Sequence, residues 1–262
     1  MFDFVAFATV GFLAQLIDGA LGMGYGVICS ILLLTTGVPP VQTSASVHAA
    51  KLFTSATAGT SHWLNGNVDR KLMIQLAVAG VIGGVSGALL LTHVSSSTMR
   101  PFIFSYLLIV GAAILVRVFR PARESLPRGK LVAPVGATGG FLDALEGGGW
   151  GPVVTSTLIG SGAPPRYVIG SVNAAEFVVT SAVLTVFLTS MFFGITQQSQ
   201  GMLDNAVSIA ALIAGGIPAA LLSGFLLKKA PRKPLTIAVS LLIIAISAFE
   251  LVNWFAGIVD RI

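Results

Sequence analysis

The sequence DGALGMGYGVICSILLLTTGVPPVQTSASVHAA, residues 18–50, decides the fold because the chain contains it twice. Displaced by 125 residues, the stretch DALEGGGWGPVVTSTLIGSGAPPRYVIGSVNAA at 143–175 aligns with it without a gap. Both copies begin with an aspartate, pass through a glycine-rich turn and continue past two prolines into a polar segment. Self-similarity at a fixed spacing indicates a structural unit that is used twice.

Twelve of the 33 aligned positions are identical. The matched pairs are Asp18 with Asp143, Gly22, Gly24 and Gly26 with Gly147, Gly149 and Gly151, Leu33 with Leu158, Gly37, Pro39 and Pro40 with Gly162, Pro164 and Pro165, and Ser46, Val47, Ala49 and Ala50 with Ser171, Val172, Ala174 and Ala175. The aspartate and the paired prolines make a coincidence of glycine-rich composition improbable. We predict two copies of one module, at 1–117 and 131–262, joined by a basic linker at 118–130.

The composition predicts a membrane protein. Of the 262 residues, 55% are hydrophobic and only 10% are charged, whereas soluble domains carry about 25% charged residues. The net charge of +5 does not indicate nucleic-acid binding, because the basic residues lie in short loops between apolar segments. The lipid bilayer is therefore the expected partner of most of the surface.

Each copy is predicted to be all-α, with one glycine-broken helical hairpin followed by three transmembrane helices. The predicted hairpin arms are 2–17 and 25–36 in the first copy, and 131–145 and 152–159 in the second. The predicted long helices are 42–63, 72–93 and 100–116, then 167–192, 203–227 and 234–255. The arms are shorter than the roughly 20 residues that a spanning helix needs. With the orientation given by the basic loops, each hairpin starts and ends on one side, either as a re-entrant hairpin or as a tightly folded pair of helices.

The basic loops predict the orientation of the chain. Lysine and arginine accumulate in cytoplasmic loops, so the linker at 117–130 and the loop at 228–233 are expected to be cytoplasmic. On the same scheme the loop at 69–71 is cytoplasmic, while both chain ends and the loop at 194–204 are external. Three crossings per copy, an odd number, give the two copies inverted topology, as in many secondary transporters.

Polar residues on one helix face form the candidate substrate site. Ser44, His48 and Lys51 are spaced by four and three residues and share a face. The repeat aligns His48 with Asn173 and Lys51 with Glu176. If the copies meet about a pseudo-two-fold axis, Lys51 neutralises a small anion, while Ser44, His48 and Asn173 hydrogen-bond to it.

The glycine turns are expected to complete this site. Backbone amides at Gly24, Gly26, Gly149 and Gly151 precede short helices, whose N-termini favour anions. Trp150, inside the second turn, is expected to line the cavity.

Three acidic residues are predicted to couple transport to an ion gradient: Glu176, Asp18 and Asp143. Ionisable groups inside membrane segments are functional candidates by default. Two structural alternatives stay open. Lys51 and Glu176 form a buried salt bridge, or Asp18 and Asp143 cap the short helices beyond the turns.

The sequence contains no motif for cofactor or metal chemistry. It has no HExxH, no Cys/His cluster, and no GKS or GKT after the glycine turns, so we expect no metal, no cofactor and no catalytic residues. Cys29 is the single cysteine, which excludes an intrachain disulfide.

The aspartate-containing glycine turns, the G-x-P-P turns and the S-V-x-A-A segments resemble the TauE/SafE-type sulfite exporter family. The resemblance extends over nearly the whole chain, including the basic linker. It implies an inner-membrane carrier for sulfite, sulfoacetate or a related organosulfonate, driven by an ion gradient.

The principal hypothesis is therefore a secondary carrier that exports a small sulfur-containing anion by alternating access. One alternative is an ion channel or cation/proton antiporter that uses the acidic residues. Another is an intramembrane enzyme or an accessory subunit of sulfur metabolism. Small-residue faces such as the glycines at 80–87 are expected to mediate helix packing, either within the chain or between the chains of a homo-oligomer.

Overall fold

The chain is helical, as the sequence predicts. The computed structural model describes residues 4–94, 96–119, 129–195, 205–227 and 231–259. Within these ranges it contains helices and turns and no strand. Most of the predicted linker, the loop residues 95, 196–204 and 228–230, and both chain ends lie outside the described residues.

In the part of the chain that the structure describes, ten α-helices follow one another in the same order in both halves. The first half contains α1 (Phe4–Leu21), α2 (Tyr25–Thr35), α3 (Pro40–Leu64), α4 (Arg70–His93) and α5 (Ser96–Val118). The second half contains α6 (Gly129–Glu146), a π-helical turn (Gly151–Thr155) that leads into α7 (Ser156–Gly160), then α8 (Pro165–Phe192), α9 (Ala206–Leu226) and α10 (Arg232–Val259).

Six of these helices are long and apolar enough to cross a membrane: α1, α4, α5, α8, α9 and α10. Helix α3 has 25 residues but is more polar, because it carries Ser44, His48, Lys51 and Ser55. The chain is therefore a multi-pass membrane protein whose most polar long helix lies among apolar ones.

The first arm of each hairpin is longer than predicted. Helix α1 continues to Leu21 and α6 to Glu146, and each has 18 residues. The predicted end at residue 17 is wrong because the helix accommodates Asp18 and Gly19 and breaks only at Gly22, whose φ is +69°. The prediction that both arms are too short to span is therefore wrong for α1.

The second arm of each hairpin is short, as predicted. Helix α2 has 11 residues, and its counterpart begins with the π-helical turn instead of a regular helix. Gly37 (φ +92°) and Gly162 (φ +99°) end these arms in the left-handed conformation, and the prolines that follow begin α3 and α8. The G-x-P-P motif thus ends one helix and starts the next.

Helix packing is exchanged between the halves. Helix α1 packs on α9 as α6 packs on α4, and α3 packs on α9 as α8 packs on α4. The remaining large contacts join equivalent helices, α3 with α8 and α5 with α10. Glycines make the closest of these contacts: a Cβ on Gly83 would lie 3.0 Å from the Ala137 Cα. The glycines at 80–87 thus pack within the chain, against α6 and α8.

The equivalent helices α3 and α8 run antiparallel. Beyond the end of α3, the Asn67 backbone packs against Gly170, near the start of α8. Further along, the His48 ring of α3 lies 6.1 Å from the Phe187 ring, near the end of α8. The Arg166 Nε donates to the Asn67 Oδ1 at 2.8 Å, so the end of α3 and the start of α8 share one end of the molecule.

The distribution of polarity is the reverse of that in a soluble protein. Lys51 and Asp143 are buried, whereas Ile82, Leu64 and Phe192 are 64%, 80% and 86% exposed. Apolar side chains tolerate this exposure when lipid surrounds them, and ionisable groups in a bilayer face the bundle interior. The buried polar residues of the interior are therefore the candidate functional residues.

Candidate functional site

The tips of the two hairpins meet at the centre of the molecule, backbone against backbone. Gly26 packs against the carbonyl of Gly147, and Gly148 against the backbone of Val27. A Cβ on Gly151 would lie 2.6 Å from the Gly22 carbonyl oxygen. Only glycine allows this approach, so Gly26 and Gly151 have a packing reason to be glycine apart from any contact with substrate.

Two hydroxyl groups fasten the tips to each other. The Thr155 Oγ1 donates a hydrogen bond of 2.7 Å to the Gly22 carbonyl, and the Ser30 Oγ donates to the Glu146 carbonyl. Ser30 and Thr155 are aligned by the repeat, so each half contributes one hydroxyl to the other. The sequence analysis missed both residues, although their alignment was a signal that could have identified them.

Asp18 and Asp143 occupy the last turn of the helix before each tip. The Tyr25 backbone N–H donates to the Asp18 Oδ1 at 3.3 Å, and the Trp150 N–H donates to the Asp143 Oδ1 at 3.1 Å. Each carboxylate therefore caps the short arm of its own hairpin. The capping alternative raised by the sequence is confirmed for both residues.

Lys51 lies between two carboxylates at this level. Its Nζ is 2.9 Å from the Asp143 Oδ1 and 2.7 Å from the Glu176 Oε1, and it donates to the Gly147 carbonyl at 3.3 Å. These contacts use the three donors of the ammonium group, and Lys51 is only 2% exposed. The Lys51–Glu176 salt bridge is confirmed, and Asp143 is a second partner that the sequence analysis did not identify.

His48 contacts three polar groups. Its Nδ1 is 2.8 Å from the Ser44 carbonyl and 3.3 Å from the Ser44 hydroxyl, and its Nε2 is 3.2 Å from the Asp143 Oδ2. A neutral imidazole donates from one nitrogen only, so the tautomer of His48 decides which of these contacts it donates to. Asp143 is thus in contact with both His48 and Lys51.

Ser44 joins this network through its hydroxyl, which donates to the Ala144 carbonyl at 2.7 Å. It thereby ties α3 to the last turn of α6. The predicted face of Ser44, His48 and Lys51 thus exists, and it faces the tip of the second hairpin.

Asn173 supplies an unused polar atom beside the network. Its Nδ2 donates to the Ile169 carbonyl at 3.1 Å, while its Oδ1 has no hydrogen-bond partner among the described residues. The Thr180 hydroxyl, one turn beyond Glu176 on α8, is likewise buried and without a partner in the part of the chain that the structure describes. This face of α8 has capacity for further hydrogen bonds.

The remaining predicted site residues lie in or beside the turns. Trp150 is fully buried, and its Nε1 donates to the Val172 carbonyl at 3.1 Å. Gly149 packs against the backbone of Asp143 and Leu142, and Gly24 lies near the Ile17 side chain with a φ of +135°. The structure therefore places Trp150 in the packed core.

Carboxyl groups outnumber cations in this interior. Asp18 lies within electrostatic reach of Lys51, Asp143 and Glu176, and Glu146 is buried one turn beyond Asp143. Across the described residues no three His, Cys, Asp or Glu side chains are arranged to hold a metal ion. Charge balance in this cluster therefore depends on Lys51, on His48 and on protons.

The comparisons with known proteins point to a transporter. The family model for the sulfite exporter TauE/SafE matches residues 7–249. The chain is 39% identical over 263 residues to the probable membrane transporter protein YtnM of Bacillus subtilis (strain 168), covering 97% of this chain and 84% of that protein. It is 30% identical over 212 residues to the probable membrane transporter protein ORF9 of Sinorhizobium sp, covering 77% of this chain and 78% of that protein.

No solved structure matches the chain. The family match spans both hairpins and every helix of the buried network. A multi-pass helical chain with an ionisable network at its centre agrees with what the two relatives are named. The protein belongs to the sulfite exporter TauE/SafE family of membrane transporters.

Proposed function

We propose that this transporter is a secondary carrier that exports a small sulfur-containing anion, such as sulfite, sulfoacetate or a related organosulfonate. The family supports the proposed substrate class. The proposed mechanism rests on Lys51, a buried cation at the contact between the two halves. An anion that leaves a negatively charged cytoplasm gains about 2.3 kcal/mol per charge for each 100 mV of membrane potential. Export is therefore the favourable direction for the charge of the anion itself, and each proton carried out with it cancels this gain for one charge.

Binding of the anion requires Lys51 to exchange partners. Its ammonium group is already held by Asp143 and Glu176. A buried carboxylate that loses its cation is strongly destabilised, so these two side chains take up protons when the anion takes over Lys51. His48, Ser44 and Asn173 then hydrogen-bond to the anion oxygens, with the turn amides at Gly24, Gly26, Gly149 and Gly151 and the Trp150 ring beside them.

Coupling to an ion gradient follows from the same exchange. Glu176, Asp18 and Asp143 are the groups whose protonation decides whether Lys51 is available. By linkage, anion binding and proton binding then favour each other. His48 is placed to exchange a proton with Asp143, since its Nε2 lies 3.2 Å from the Asp143 Oδ2.

Alternating access is supported by the exchange of helix packing between the halves. Equivalent helices α3 and α8 run antiparallel, as inverted repeats require, and the broken hairpins meet at the level of the ionisable network. We propose that the two halves rock about this contact and open the site to each side in turn.

The basic loops give the proposed orientation in the inner membrane. The linker at 117–130 and the loop at 228–233 face the cytoplasm, and the ends of α3 and α9 lie on that same side. The Asn67 Nδ2 joins these ends by donating to the Gly224 carbonyl at 3.1 Å.

The direct test is anion binding to purified protein, measured as thermal stabilisation with sulfite, sulfoacetate and sulfate. We expect at least one sulfite or sulfonate ligand to raise the melting temperature of the wild type and of Lys71→Ala, a matched change at the exposed start of α4. Lys51→Ala should lose this shift. A shift that survives in Lys51→Ala would refute the role of Lys51.

The carboxyl excess favours one further candidate, a cation/proton antiporter in which Lys51 is an internal counter-ion. In proteoliposomes, Na⁺ or K⁺ would then dissipate an imposed pH gradient, and sulfite and sulfoacetate would have no effect. The anion carrier gives the opposite result.

A further inference from the structure

Among the residues that the structure describes, Glu146 is the one carboxyl group of the central network whose oxygens have no hydrogen-bond or ion-pair partner. It ends α6, is 1% exposed, and neither of its carboxyl oxygens has a hydrogen-bond partner among the described residues. Asp18, Asp143 and Glu176 each have a backbone amide or Lys51 as partner. Glu146 therefore needs its own explanation.

The described residues around it include no cation that is free to neutralise it. Asp143 precedes it by one turn on α6, and α3 brings His48 and Lys51, both already bound to Asp143. Helix α5 brings Tyr106, whose hydroxyl is also buried and unpaired within the described chain. Helix α4, the largest neighbour of α6, has no ionisable side chain between Lys71 and His93.

An ionised Glu146 would be unfavourable for three separate reasons. Burial of an unpaired charge is costly. The C-terminus of a helix carries a partial negative charge that repels a carboxylate, and a like charge three residues earlier, here Asp143, repels it again. In this conformation the side chain is therefore a neutral carboxylic acid that carries a proton.

The repeat indicates that the fold does not require an acid at this position. Glu146 aligns with Leu21, which ends α1 and is buried in the same way. An apolar side chain thus satisfies the equivalent site in the first half. The acid is an addition made in one copy only, beside the network that holds the proposed substrate site.

We propose that Glu146 is a proton-carrying residue of the transport cycle, loaded in this conformation and unloaded when the halves rearrange. This inference rests on the proposed secondary transport and adds a residue to its coupling groups. A proton suits the site better than Na⁺, because hard metal cations take several oxygen ligands and the described structure offers one carboxyl group. The proton leaves as the carboxylate gains water or Lys51 in another conformation.

Infrared spectroscopy tests the protonated state without any substrate. The spectrum of the wild-type protein in detergent should contain the C=O stretch of the buried Glu146 carboxylic acid, seen as band intensity that is lost in Glu146→Gln and in Glu146→Leu. Other carboxyl groups of the network that hold a proton contribute equally to all of these spectra. Glu146→Leu restores the residue of the first repeat, and Glu250→Gln on α10 is the matched control that keeps the full intensity. Absence of the band from the wild type, or equal band intensity in the wild type and both Glu146 variants, would overturn the proposal.

Transport tests the coupling. In proteoliposomes with a gradient of one pH unit, removal of one coupled proton lowers the steady-state accumulation ratio of the anion about tenfold. We expect this loss in Glu146→Gln and Glu146→Leu with sulfite or sulfoacetate, while exchange at equal pH on both sides continues and Glu250→Gln behaves as wild type.

An unchanged accumulation ratio in both Glu146 variants overturns the coupling role. If the wild type transports neither sulfite nor sulfoacetate, the proposed substrate class fails instead. The infrared measurement then decides whether Glu146 holds a proton.

Discussion

At the scale of single residues, Asp143 both caps a short arm and pairs with Lys51, whereas its repeat partner Asp18 only caps. Both aspartates cap a short arm, but only Asp143 also forms an ion pair with Lys51 and a hydrogen bond with His48. Asp18 and Asp143 therefore share the capping contact but differ in the ion pair, which makes them a matched pair for substitution.

Substitution by asparagine separates these tasks, because asparagine is as good a cap as aspartate. Asp143→Asn should destabilise the protein by up to about 3–5 kcal/mol, the cost of breaking a buried ion pair, and the remaining Glu176 contact keeps it at the lower end. Asp18→Asn should have a much smaller effect. Melting temperatures in detergent give the comparison, and equal losses in the two variants would contradict it.

The sequence identified the members of the site better than their pairing. The helical spacing and the repeat selected Lys51, His48 and Glu176, and intramembrane charge selected Asp143. The ion pair between Lys51 and Asp143 was not predictable, because two residues separated by 92 positions in the sequence carry no information on which hairpin tip lies against α3. The repeat suggested equal roles for Asp18 and Asp143, but the packing places Lys51 against Asp143 only.

At the scale of elements, glycine decides which helices touch. Gly83 on α4 faces the backbone of Ala137 on α6, whereas Gly111 on α5 faces only the side chains of Ile243 and Ile244, at 3.0–3.3 Å. Small residues let helix backbones approach closely in membranes. The two positions therefore differ in what an added methyl group would meet.

We expect Gly83→Ala to lower the stability by about 1–3 kcal/mol, as overpacking does, because helix backbone cannot move aside. Gly111→Ala should be close to neutral, since isoleucine side chains can shift by a few tenths of an ångström. Thermal melting of both variants tests this. A Gly83→Ala protein as stable as Gly111→Ala would show that the α4–α6 contact is loose.

Helix ends were predictable where the backbone itself demands glycine. The G-x-P-P motif marks the starts of α3 and α8 correctly to within two residues. The break after α1 was placed too early, because Asp18 and Gly19 favour a turn by composition but are held in the helix by packing against α9. A Cβ added to Gly19 would collide with the Ser223 side chain of α9, and this contact cannot be read from the sequence.

At the scale of the whole molecule, the proposed inverted topology makes a prediction about sidedness. Exposed residues at opposite ends of the bundle, Lys71 and Lys130 at one and His93 and Ile195 at the other, should react with membrane-impermeant thiol reagents from opposite sides once replaced by cysteine. Cys29 is fully buried and replaceable by serine as background. We expect Lys71→Cys and Lys130→Cys to be labelled only from the cytoplasm.

Labelling of Lys71→Cys and Lys130→Cys from different sides would exclude the arrangement. The structure places the starts of α4 and α6 at the same end, since the two helices pack side by side from Leu76 and Gly136 to Gly87 and Ala144. The repeat alone predicted two similar halves. Only the structure shows that each half packs against the other, with α1 on α9 and α6 on α4. The 125-residue spacing of the repeat does not indicate which copy supplies the neighbour of a helix.

Around the contact between the hairpin tips, some residues are fixed by packing and others depend on the cargo. Gly26, Gly148 and Gly151 meet the opposite backbone directly, so geometry forbids any other residue there whatever the cargo. Lys51, His48 and Glu146 stand beside that contact and are free to change with the chemistry of what is carried. Relatives that transport different substrates should therefore keep these glycines, while the ionisable residues beside them differ with the substrate.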